Sequence, residues 1–198
     1  MDIGAGTGDF IEYLSSKNGK VTGVEASLKA RCIASTKGLH LKEEISQLEK
    51  SFDIITMWHV LEHVYHLKKD VEKIKDILQE DGTLFVAVPN CSSYDALKYG
   101  EFWAAYDLPI HLYHFRPNNI RQLFEGVGME VVDVLPMKFD SYYVSLLSEK
   151  YKSGKEGIGL SALIKGALSG FISNMKANKE QYSSQIYVIK HKKITPAN

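Results

Sequence analysis

Three glycines at alternate positions near the start of the chain constrain its fold more than any other feature. The run Asp2-Ile3-Gly4-Ala5-Gly6-Thr7-Gly8-Asp9 joins a short apolar stretch to the helical pattern Phe10, Ile11, Leu14. Glycine permits the tight, left-handed backbone that a strand needs to turn directly into a helix. Asn18-Gly19 stops that helix, and residues 21–25 read as a second strand. Ser27 can cap a second helix that ends at Lys37-Gly38, and residues 39–45 form a weaker strand candidate. Residues 52–57 are apolar and β-branched, a stronger strand. Val60, Val64, Leu67, Val71, Ile74 and Leu78 recur in steps of four and three, which predicts one amphipathic helix broken by Asp81-Gly82. Residues 83–88 then read as a buried strand stopped by Pro89. Strands alternating with helices give βαβ units and a mostly parallel, doubly wound α/β sheet.

Beyond Asn90 this rhythm lapses. Residues 91–115 are rich in aromatics without a clear period, as expected of a binding loop or lid. Helices are predicted at 118–127, 140–151 and 158–177, and strands at 130–135 and 185–191. At 198 residues, with no repeat or linker, the chain reads as a single domain. Residues 1–90 are expected to form a cofactor-binding half, and 91–117 and 140–180 acceptor-site or lid segments.

The first glycine turn also limits the ligand. Glu25 ends the second strand, 21 residues after Gly4, and a doubly wound sheet sets its carboxylate beside the same crevice. There it can accept hydrogen bonds from a ribose diol. A pyrophosphate needs the spacing G-x-G-x-x-G and a free helix N-terminus. This chain places Gly8 one residue early and Asp9 at the third glycine position. With Asp2 alongside, an acidic, glycine-lined pocket suits a cationic nucleoside without phosphate, such as S-adenosyl-L-methionine. A nicotinamide-dependent oxidoreductase and a non-catalytic nucleoside-binding protein are the alternatives.

These motifs resemble those of class I S-adenosylmethionine-dependent methyltransferases. Residues 2–8 are similar to that family's first motif, 24–27 to its ribose-binding acidic motif, and 52–64 to its fourth-strand signature. Residues 77–90 are similar to the helix and strand that follow. Residues 103–115, ending Pro109-Ile110-His111-Leu112-Tyr113-His114-Phe115, resemble a bacterial branch akin to the ubiquinone-biosynthesis enzymes. The resemblance implies a Rossmann-like sheet of seven strands with the last one antiparallel. It implies that Asp2, Gly4, Gly6 and Gly8 line the methionine end of the cofactor, Glu25 binds the ribose and Ala26 touches the adenine. Trp58 and His59 would face the cofactor or the acceptor. The family's first strand has several apolar residues before its Asp, whereas only Met1 precedes Asp2, so a natural chain starting upstream is expected.

Methyl transfer to a hydroxyl or amine needs a base, and histidine suits that task near neutral pH. His111 is the first candidate and His114 the second; the alternative is that they bond loop backbone. His59-Val60-Leu61-Glu62-His63 also spells a zinc-protease string, H-x-x-E-H. Its place directly after a buried strand argues against metal, and Glu62 and His63 are expected to tie the helix start to neighbouring loops. The apolar stripe Ile158, Leu160, Leu163, Ile164, Ala167, Leu168, Phe171, Ile172 and Met175 is expected to cover the sheet. A lid, a homodimer surface and a lipid-touching helix are its other readings. Lys+Arg and Asp+Glu are both 24, so no net charge draws the chain to nucleic acid. Two cysteines, no signal-like start and no apolar run of transmembrane length lead to the expectation of a cytoplasmic enzyme acting on a small molecule.

Overall fold

The computed structural model describes residues 1–49, 51–154, 157–178 and 180–193. The first half contains β1 (Asp2–Ile3), α1 (Asp9–Ser16), β2 (Gly23–Val24), α2 (Leu28–Thr36), β3 (Phe52–Trp58), α3 (Leu67–Ile77) and β4 (Leu78–Pro89). The second half contains α4 (Tyr94–Tyr99), α5 (Pro117–Glu125), β5 (Met129–Pro136), α6 (Asp140–Ser153), α7 (Leu160–Lys176) and β6 (Ser184–His191). The strands form one sheet in the order β2-β1-β3-β4-β6-β5. β2, β1, β3 and β4 are parallel neighbours, and β6 runs antiparallel to both β4 and β5. Strand order reverses between β1 and β3, and the crevice at such a switch point is where open α/β sheets bind ligands.

The sheet has six strands among the described residues, not seven. The weak candidate at 39–45 contributes a single parallel bridge, Val24 to Lys42, at the β2 edge. Its run His40-Leu41-Lys42-Glu43-Glu44 offers only Leu41 to a buried face, too little to extend the pairing. The expected helix from Val60 is shorter at both ends. Residues 61–63 form a 3-10 turn, and α3 starts only at Leu67. Backbone N–H groups of Leu112 and Tyr113 donate to the Glu62 carbonyl at 2.8 and 3.2 Å, so this stretch anchors a distant loop instead of continuing a helix. At the far end Leu78 already pairs with Phe52, ahead of a register shift.

Ile55, Met57, Leu84 and Val86 meet Val71, Ile74, Ile120, Phe124 and Ile189 in the main core. Full burial of such a side chain contributes about 1.5–3 kcal/mol. A smaller cluster of Ala96, Tyr99, Trp103, Ala104, Ala105 and Val144 lies under the aromatic segment. That segment is more ordered than its sequence suggests: Ser93 caps α4 by accepting from the Ala96 N–H, and 3-10 turns follow at Gly100–Phe102 and Ala104–Tyr106.

The stripe of α7 does not cover the sheet. Its buried residues are Gly166, Ser169, Gly170 and Ser173, and the helix packs this narrow face on α6. A Cβ at Gly166 would lie 2.7 Å from Leu146 Cα, and one at Gly170 2.7 Å from Tyr142 Cα. Close backbone approach is what selects the small residues, and it turns Leu160, Leu163, Ile164, Leu168, Phe171 and Met175 outward.

Candidate active site

The glycine turn lies at the C-terminal end of β1. Gly4 has φ 74°, and a Cβ there would meet Val60 Cγ2 at 2.3 Å, so both conformation and space exclude a side chain. Gly6 has φ 53° and no heavy atom within 4 Å of a notional Cβ. Its position opens onto free space where a ligand can lie against backbone. Gly8 is the N-cap of α1, again left-handed. Asp2 sits beneath the turn, 2% exposed, and accepts a hydrogen bond from the Thr56 hydroxyl at 2.6 Å. Burial raises its pKa, and the Thr56 bond offsets part of that rise.

Glu25 reaches the same turn. Its carboxylate accepts from Gly6 N–H and from Ser27 N–H, each at 2.8 Å, which orients it while leaving lone pairs for further donors. Arg31, missed in the sequence, holds this corner by donating from Nη1 to the carbonyls of Glu25 and Ala26 at 2.8 and 2.7 Å. Asp9 points away, toward Lys37 Nζ at 2.5 Å, so its charge is paired outside the crevice. This removes one of the sequence arguments against a phosphate-bearing ligand; the wrong glycine spacing stands.

The end of β3 carries the next group. Trp58 lies edge-on to Phe10, 6.0 Å between ring centres, and borders an apolar groove of about 470 Å³ with Phe10, Leu14, Ile54 and Phe85. His59 has φ 54° and is held between two carboxylates, with Nδ1 3.2 Å from Glu62 Oε1 and Nε2 3.0 Å from Asp140 Oδ2. Burial lowers its pKa, but the bonds to Asp140 and Glu62 prevail and push it up to about 9. Asp140 moves oppositely: burial raises it, and the His59 bond draws it below the usual carboxylate range. His59 thus arrives as an imidazolium tying β3 to α6. Asp140 lies 81 residues from it, beyond any local signal.

The aromatic segment closes over this end. His111 Nδ1 lies 2.8 Å from the Ala105 carbonyl, and His114 Nε2 lies 2.9 Å from the Tyr106 carbonyl. A carbonyl only accepts, so these ring nitrogens carry the protons. That leaves His111 Nε2, 4.0 Å from Asp107 Oδ2, and His114 Nδ1 as the nitrogens not engaged by these carbonyls. His63 donates likewise from Nδ1 to the Ile110 carbonyl at 3.2 Å, and its ring lies 4.7 Å from that of His111. Donor atoms of Glu62, His63 and His111 all fall within 4.8 Å of one another. Glu62 is 1% exposed, and its Oε2 has no hydrogen-bond partner among the described residues. These three could hold a cation. The two histidines of the H-x-x-E-H string, His59 and His63, do not converge, because His59 turns to Asp140. His114 also borders a cavity of about 500 Å³ with Leu67, Tyr113, Phe115 and Leu123.

A family described as a methyltransferase domain matches residues 1–134, about two thirds of the chain. The chain belongs to this methyltransferase domain family. The ubiquinone biosynthesis O-methyltransferase of Glaesserella parasuis is 33% identical over 105 residues, 46% of this chain and 44% of that protein. The chain thus aligns with less than half the length of that relative. The enzyme of the same name from Nitrosococcus oceani is 28% identical over 184 residues, covering 84% of this chain and 75% of that one. Among solved structures, a SAM-dependent methyltransferase from Archaeoglobus fulgidus superposes with a TM-score of 0.62 at 16% identity, over 96% of this chain and 84% of that one. Haemonchus contortus phosphoethanolamine N-methyltransferase 2, solved with S-adenosylhomocysteine, gives 0.62 at 13% identity, over 97% and 48%. The methyltransferase domain therefore has the Rossmann-like fold of these proteins, with a mixed six-stranded sheet. No helix among the described residues is long and apolar enough to cross a membrane.

Proposed function

We propose that this methyltransferase domain moves a methyl group from S-adenosylmethionine to a hydroxyl of a small molecule with aromatic or apolar surface, with His111 as the base. The observation that carries the reading is the His111 tautomer. With Nδ1–H committed to the Ala105 carbonyl, Nε2, which lies 4.0 Å from Asp107 Oδ2, is the ring nitrogen left to take a proton. The cofactor fits the first crevice on chemistry: Gly6 leaves an open cradle, and Glu25 is oriented with acceptor capacity to spare for ribose hydroxyls. Asp2, Gly4 and Gly8 shape its methionine end, Ala26 backbone flanks the adenine, and Trp58 walls the approach. When bound, the sulfonium supplies the methyl group for an in-line displacement.

The chain's own residues then have distinct tasks. His111 Nε2 accepts the hydroxyl proton and becomes an imidazolium. Glu62, buried nearby, stabilises that charge. His114 holds the acceptor from the side of the neighbouring cavity. Segments 91–117 and 140–180, of which residues 155, 156 and 179 lie outside the described residues, exclude water from the reaction. The name shared by the relatives, an O-methyltransferase, supports oxygen as the atom methylated.

Calorimetric titration with S-adenosylhomocysteine, with NAD as control, tests the cofactor; methyl transfer to a catechol tests the reaction. Binding of the first nucleoside alone, and transfer lost in His111→Ala, are the expected results. NAD binding instead would overturn the reading, and homocysteine-nucleoside binding without any transfer would favour a binding protein. A second reading of the histidine cluster rests on the unpaired Glu62 Oε2. A divalent cation at Glu62, His63 and His111 would lower the acceptor's pKa directly, and transfer abolished by chelation and restored by Mg²⁺ or Zn²⁺ would select it.

A further inference from the structure

Asp95 is a fully buried carboxylate that the proposed chemistry leaves unused. Its Oδ2 accepts from Trp103 Nε1 at 2.8 Å and from the Ser183 hydroxyl at 2.6 Å, and its Oδ1 accepts from the Ser173 hydroxyl at 2.7 Å. One side chain on α4 thereby fastens the aromatic segment, α7 and the residue before β6. Hydrogen bonds to an ionised acceptor are roughly twice as strong as neutral ones, and burial keeps water from competing.

Trp103 begins the stretch that holds both histidines. It is 2% exposed and packs edge-on against Tyr106, 5.1 Å between ring centres. Tyr106 packs edge-on against His114 at 4.9 Å and gives its carbonyl to His114 Nε2–H. Ala105 gives its carbonyl to His111 Nδ1–H. Ser148 of α6 accepts the Ala104 N–H at 2.9 Å, a second and neutral fastening of the same turn. Two carbonyls thus decide which nitrogen of each imidazole is free. Those carbonyls sit two and three residues after the indole that Asp95 holds.

We propose that Asp95 is a positioning residue, whose buried carboxylate fixes Trp103 and, through it, the Ala105 and Tyr106 carbonyls that set the tautomers of His111 and His114. The consequence for methyl transfer rests on the role given to His111 above. The tautomer itself does not, so it is the quantity to measure.

The test is ¹⁵N-edited NMR of the imidazole rings at a pH where they are neutral, with His111→Ala and His114→Ala spectra assigning the signals. Wild type is expected to show His111 with its proton on Nδ1 and His114 with its proton on Nε2. Trp103→Phe keeps a ring but removes the N–H, and Asp95→Asn keeps the shape but opposes the indole N–H with an amide. Each is expected to cut the Nδ1–H population of His111 by at least half, with circular dichroism still showing a cooperative folded state. Ser173→Ala, which touches only the other carboxylate oxygen, is expected to change that population less. The proposal is overturned if His111 lacks the Nδ1–H tautomer in wild type, or keeps it in both folded variants. Unfolding of both would overturn it too, since Asp95 would then be needed for folding rather than for placement. Methyl transfer surviving in His111→Ala would remove the base role and leave this result standing.

Discussion

The two halves of the site are built by different means. Around β1 and β2, the groups of the candidate crevice are set by backbone: three left-handed glycines, two N–H groups on Glu25, and Arg31 on two carbonyls. Around residues 91–117, they are set by side chains drawn from distant places. Asp95, Ser148, Ser173 and Ser183 fasten the turn, and its carbonyls orient the histidines. The first arrangement tolerates little change in conformation and leaves residue choice legible. The second tolerates local change but depends on several remote partners at once.

The sharpest way to break the backbone-built half is at its tightest glycine. Gly4→Ala places a Cβ into Val60 at a left-handed residue, at a cost of about 1–3 kcal/mol for the backbone alone. Thermal unfolding should show that loss, and calorimetry should show S-adenosylhomocysteine binding weakened by at least about 100-fold. The matching change in the other half, His111→Ala, should lower turnover by about 10²–10⁴. Affinity for S-adenosylhomocysteine should stay within about threefold, because that ligand belongs to the first half. Loss of both together would mean that the halves do not separate.

A smaller effect is expected for Glu25→Gln. It keeps an acceptor for one N–H but loses the charge, so cofactor affinity should fall by about tenfold with little change in turnover at saturation. The smallest concerns His59, which joins the halves. Its pKa is raised from 6.5 to about 9 in the folded chain, so its bridge contributes fully below about pH 6.5 and is lost as pH rises through about 9. With a side chain about a third exposed, the contribution should be about 1 kcal/mol. Urea unfolding at pH 6 and pH 10 should show it, and His59→Gln should flatten the difference. Asp140, lowered in the folded state, works in the other window: its share is present above the ordinary carboxylate pKa and lost as pH falls.

What could be read from the sequence follows the same division. The strand, glycine turn, helix and acid of the first half lie within 25 residues, so Gly4, Gly6, Gly8 and Glu25 were legible as one crevice. The strands at 52–57 and 83–88 announced themselves by β-branched runs. The seventh strand did not form because residues 39–45 are too polar to pair beyond Lys42. The long helix from Val60 failed because periodicity cannot see that the Glu62 carbonyl is claimed by residues 112 and 113. His111 and His114 could be named, but their tautomers depend on carbonyls whose positions only the fold supplies. The α7 stripe misled for a related reason: its large residues are periodic, yet its small ones make the contact.

The junction at Asp95 bears on the order in which a growing chain can close. Two of its three donors, Ser173 and Ser183, leave the ribosome long after Trp103. β6, which must slip between β4 and β5, comes later still. The glycine crevice draws its nearest contacts from β1 to β3 and from Val60, all of which leave the ribosome before Trp103. Until residue 173 emerges, the Asp95 carboxylate has a single one of its native donors, and until residue 183 emerges it has two. The fastening of residues 91–117 therefore closes only when nearly the whole chain is available.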